Sequence, residues 1–159
     1  MMRRKDREIT EINEILSVMD RCKVCRLGIC ENGSPYIVPL NFGYSFDNGI
    51  LSLYFHCAHE GKKIDIIRKN SRACFELDCD HKMIPGECAC KYGFAFSSVI
   101  GFGEIGFISD KQEKIRALDK LMKHQTGNDI THEYNESEID RVTVLKMTVN
   151  DFTCKQKTV

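Results

Sequence analysis

The chain has no tryptophan, three prolines, and no excess of either charge: 23 basic residues balance 23 acidic ones. Without tryptophan, absorption in the near ultraviolet is weak unless a chromophore is bound. The even charge argues against a protein built mainly to grip nucleic-acid backbones, though it leaves room for a local basic pocket. No apolar run approaches the roughly 20 residues that span a bilayer. The opening stretch MMRRKDREITEINEIL has basic residues but no apolar core behind them, so it does not read as a secretory signal. Nine cysteines, an odd number without such a signal, point to reduced thiols in a cytoplasm.

What is present fits one domain over residues 1–159, with 42% hydrophobic residues to supply a core. Ile9, Ile12, Ile15, Leu16 and Met19 recur at helical spacing, with acidic residues on the other faces. From Lys23 to Cys30 the apolar residues alternate, as in a strand. Asn32-Gly33 is a hairpin signal, because both residues tolerate positive φ. The next strand covers Tyr36 to Phe42. Pro39 in its middle cannot donate to a ladder, which predicts an edge, a bulge or a ligand-facing gap. A second turn at Asp47-Asn48-Gly49 leads to a strand over Ile50–His56. A helix follows Gly61, and a strand covers Arg72–Leu77. Asp78 to Cys90 reads as a loop. Phe94–Ile108 is a glycine-punctuated strand. Ser109, with Gln112 three residues on, predicts a capped helix that stops near Gly127. Glu136–Asp140 reads as a short acidic turn and Val142–Val149 as the last strand. The consecutive hairpins predict an antiparallel meander or small barrel of about six strands with inserted helices.

Two chemistries compete for the polar residues. Cys22-Lys23-Val24-Cys25 has the spacing of a zinc half-site, with Cys88 and Cys90, or Cys79 with His81, as the other half. The unequal spacings and the strand position of Cys25 favour scattered thiols, and no metal is expected. The other candidate is an anion site. His59-Glu60-Gly61-Lys62-Lys63 opens a helix, where free N–H groups and the dipole favour a phosphate. Solvated lysines on an ordinary amphipathic helix are the plainer reading. His56 ends a nearly continuous apolar strand, where an imidazole could donate to a carbonyl or anionic oxygen. Ser97 and Ser98 head a strand and either bind phosphate or are solvated.

The run Tyr36-Ile37-Val38-Pro39-Leu40-Asn41-Phe42-Gly43-Tyr44 resembles a motif of the FMN-binding split-barrel proteins. It is similar in particular to the pyridoxamine 5'-phosphate oxidase-like branch that holds the nitroimidazole-resistance (Nim-type) proteins. Arg3 to Ile9, Leu53 to Lys63, Ala89-Cys90 and Ser98 to Gly103 resemble further signatures of that branch, in the same order. The resemblance implies a six-stranded antiparallel split β-barrel that forms a homodimer with FMN at the interface. It places Val38, Pro39, Leu40, Asn41 and Phe42 along the flavin ring, and Lys62 or Lys63 with Ser98 at the phosphate. His56 takes the place of the histidine near flavin and substrate, and His59 is a further member of the site.

The match has departures. Many relatives carry an arginine where this chain has Ser97, and a tryptophan where it has Tyr92. The resemblance implies an FMN-dependent oxidoreductase that takes electrons from a reduced nicotinamide or a reductase. The electrons pass to a small electrophile, such as a nitroaromatic of the nitroimidazole kind, with His56 as the catalytic residue. A flavin- or haem-binding sensor or carrier without turnover is the alternative.

Overall fold

In the computed structural model, residues 4–128 and 133–159 are described. Arg3, the first residue of the amino-terminal signature, lies outside them. The elements run β1 (Glu8–Ile9), α1 (Ile12–Arg21), β2 (Cys25–Glu31), β3 (Ser34–Leu40), β4 (Gly43–Asp47), β5 (Ile50–Cys57), α2 (Lys62–Lys69), β6 (Arg72–Ile84), β7 (Gly93–Phe107), α3 (Lys111–Thr126), α4 (Glu136–Asp140) and β8 (Thr143–Lys157). Every strand pairing is antiparallel, in the order β3-β2-β6-β7-β8-β5-β4, with β1 added to β8.

The fold is the expected antiparallel sheet with inserted helices, but the described residues form eight strands rather than six. Two short ones account for the difference. Ile9 joins β1 against Cys154 instead of starting α1. The run through Phe42 breaks at Asn41-Phe42, and β4 begins beyond it. A longer correction concerns Asp78 to Ile84, which continues β6 rather than looping. Asp80 to Met83 are all exposed, so the stretch has no apolar alternation to betray it. β8 likewise runs on to Lys157, past Val149.

The turns explain the register. Asn32-Gly33 and Asn48-Gly49 both take positive φ at both positions, which matches the twist of two-residue hairpins. Pro35 and Pro39 lie on β3, at one end of the sheet order, where missing donors cost no ladder bond. The two ends of the order, β3 and β4, are joined by Asn41 and Phe42 alone, so the sheet must curl back on itself. Its concave face holds the core: Cys25, Leu27, Phe42, Leu53, Phe55, Phe75, Leu77, Val99, Leu145 and Met147. Ile15, Val18 and Met19 of α1 and Ile66 and Ile67 of α2 pack on this core. On the other side, Ala117 of α3 covers Tyr54, Ile108 and Val144. Asp110, not Ser109, caps α3, accepting the Glu113 N–H at 2.8 Å, and Gly127 ends it in the left-handed conformation. Among the described residues, no helix is long and apolar enough to cross a membrane.

Candidate functional site

The amino-terminal end of α2 gathers several of the residues singled out above. Gly61 enters the helix at φ 130, and no side chain caps it. Ile64 and Asp65 direct their N–H groups back to the Gly61 carbonyl. The start of the helix thus keeps its positive end open, with Lys62 and Lys63 beside it. The Lys62 ammonium stands 4.8 Å from the centre of the Tyr36 ring on β3. Lys63 is close enough to Cys57, at the end of β5, to offset part of the rise that burial imposes on that thiol. The helix start therefore bridges β3 and the end of β5. This donor set, two ammonium groups at an uncapped helix terminus, fits a phosphate.

Val38 and Leu40 turn toward the core and are half-buried, whereas Pro39 is exposed on the outer face of the edge strand. Phe42 is fully buried, 4.4 Å from the His124 ring, so it can offer a ligand only its backbone. Asn41 is exposed and lies in the two-residue connector between β3 and β4. His56 is exposed at the end of β5, opposite Val144 of β8.

His59 has a different environment. Its Nδ1 lies 2.8 Å from the Thr143 hydroxyl and its Nε2 2.9 Å from the Asp140 carbonyl. With both ring nitrogens engaged, it ties the segment after β5 to α4 and β8.

Ser98 does not meet the lysines within one chain. Tyr36 shares a row with Ile29, Ala73 and Gly103. Ser98 is five residues further along β7, about 16 Å, and three strands across the sheet. It sits on the outer face between Asp78 and Lys155. Ser97 points inward, fully buried, and donates to Asp80 at 2.6 Å while accepting from Gln156 at 3.0 Å. It is not free to replace a phosphate-binding arginine.

The outer face of β3, β2, β6 and β7 carries a groove of about 530 Å³. Gly28 forms its floor, and Ile37 and Phe102 are 65% and 58% exposed beside it. A Cβ at Gly28 would strike the Cys74 sulfur, so a side chain there would have to displace that thiol and fill part of the floor. Sequence reading missed this surface, although the alternation of Phe94, Phe96, Ile100 and Phe102 along β7 was its signal. Cys22 and Cys25 are buried, and burial pushes both thiols up. Among the described residues, no group of three or more histidines, cysteines and acids is arranged to hold a metal.

Comparison with known proteins gives this geometry a lineage. Residues 11–156 match the family described as pyridoxamine 5'-phosphate oxidase. A Bacteroides thetaiotaomicron crystal structure, described as a 5-nitroimidazole antibiotic resistance protein, is 32% identical. The match covers 94% of this chain and 86% of that one, with a TM-score of 0.81. A flavocytochrome from Azotobacter vinelandii shares the fold at TM-score 0.80 and 18% identity, over 100% of this chain and 73% of its own. An FAD and heme binding protein from Mycobacterium smegmatis does so at 0.81 and 15%, over 96% and 74%. No curated protein matches the sequence. The chain belongs to the pyridoxamine 5'-phosphate oxidase family.

Proposed function

We propose that two copies of this chain bind FMN between them and use it to reduce a small electrophile, with a nitroaromatic as the first acceptor to test. The observation that carries this reading is the uncapped start of α2, where Lys62 stands over the Tyr36 ring of β3 and Lys63 lies near Cys57 at the end of β5. The separation of Ser98 from the lysines argues for two copies, since one chain cannot direct both at a single phosphate. The apolar groove with Ile37 and Phe102 is a surface for the second copy. The family and the resistance protein that shares 32% of its residues support a flavin as the ligand.

Bound FMN would supply the redox chemistry by accepting and donating electrons. The chain's part is positioning. Lys62, Lys63 and the α2 N–H groups hold the phosphate, and the Val38–Phe42 backbone lies along the ring. His56 donates a hydrogen bond to the acceptor as negative charge builds on its oxygen. A nicotinamide is the proposed reductant, and a cytoplasmic setting suits the thiols.

The test begins with visible spectra before and after FMN is added, with free ligand removed by gel filtration. Retained flavin at one per chain is expected. Lys62→Ala should weaken FMN binding about tenfold, the loss of one charge-assisted contact. His56→Ala should retain flavin and lose turnover of a nitroimidazole. An unchanged dissociation constant in the first variant, or full turnover in the second, removes that assignment. A flavin or haem carrier is favoured instead if bound flavin is not reduced by nicotinamide in a single turnover.

A further inference from the structure

We infer that Gln125, in the last turn of α3, is a positioning residue that turns the Asn41 amide so that its Oδ1 faces the ligand as an acceptor for a ring N–H. The inference rests on the flavin reading above. Asn41 and Phe42 connect two strands and have no ladder partners of their own. Gln125 fills that gap. Its Nε2 donates to the Phe42 carbonyl at 2.8 Å and to the Lys23 carbonyl at 3.2 Å. Its Oε1 accepts from Asn41 Nδ2 at 3.2 Å, and that same nitrogen donates to the Lys23 carbonyl at 3.1 Å.

Both donor hydrogens of the Asn41 amide are thereby directed inward, which fixes which end of the amide is which. The opposite end, Oδ1, is left on an exposed residue beside Pro39. An acceptor held in one orientation recognises a planar ring N–H, such as the imide N–H of a flavin. The turn that carries Gln125 is itself anchored. His124 is buried, with Nε2 2.8 Å from the Cys22 carbonyl and its ring against Phe42 and Tyr44. Lys23 Nζ donates to the His124 carbonyl at 2.5 Å. Burial holds His124 below the usual imidazole range, so it serves this anchor as a neutral ring.

The experiment compares the affinities of FMN and of FMN methylated at the imide nitrogen. Wild-type protein should bind the methylated form about tenfold more weakly, the loss of one hydrogen bond with the acceptor left unpaired. Gln125→Met, which keeps the length without the amide, should bring the two affinities within about twofold of each other. A purely structural role would lower both together and leave the ratio unchanged, which would overturn the inference. Asn41→Ala removes the acceptor itself and should also abolish the ratio; retained discrimination there would overturn it too. Wild-type protein that binds both flavins equally well defeats the inference but not the flavin reading. Wild-type protein that binds neither defeats both.

Discussion

Asp80 is the sharpest example of chemistry decided by a single residue. It sits at φ 60 in a bulge where β6 gains a residue against β7. This is the left-handed region, which a non-glycine residue enters only with help. Arg21 of α1 supplies it, donating to both carboxylate oxygens, and Ser97 adds a further bond. The Arg21 guanidinium is the main reason that the carboxyl drops to about 2. A carboxyl lowered on folding adds stability that is complete above its unfolded pKa, about 4, and is lost as pH falls through the folded value. Acid titration of the folded protein should therefore lose this part of its stability between about pH 4 and pH 2, and Asp80→Asn should lack that component. Asn tolerates the left-handed backbone, so Asp80→Asn should cost about 1 kcal/mol. Asp80→Ala loses the bonds and strains the backbone, and should cost about 2–3 kcal/mol in urea unfolding. Equal costs for the two variants would remove the strain argument.

Among the helices, α3 lies close against a strand, and Gly43 permits that approach. A Cβ at that position would overlap the backbone of Leu121 and Lys120, so the helix lies directly on the start of β4. Gly43→Ala should destabilise the fold by about 2–3 kcal/mol or displace α3, read as a lower thermal midpoint. Because the same helix carries Gln125, flavin affinity should fall with it. The elements also show what sequence alone could reveal. Asn32-Gly33 and Asn48-Gly49 declare their hairpins because few residue pairs accept two positive φ angles in succession. Lys62 and Lys63 were legible because a helix start advertises its charge locally. β4 was not, since Asn41-Phe42 carries no turn chemistry and its side-chain partner, Gln125 of α3, is remote in sequence. The outer half of β6 was hidden because strands exposed on a polar face lack alternation. Gln125 was invisible for a different reason: its partners lie 84 and 83 residues away in sequence, and nothing local marks it.

At the scale of the whole molecule, the outer sheet face is where one copy is expected to meet another. Phe102→Glu would place a charge beside Gly28 and Ile37, in the centre of the groove. Sedimentation should then show a monomer that has lost its flavin, while the circular dichroism of the fold stays unchanged. A variant that remains dimeric would move the interface elsewhere. β8 alone pairs with β1, β5 and β7. Without it, the sheet separates into one piece of four strands and one of two, and β1 is left unpaired. During synthesis on the ribosome, every other strand emerges before β8. The growing chain must therefore hold two open sheet edges apart until β8 is made, an interval in which those unpaired edges are open to pairing with other chains.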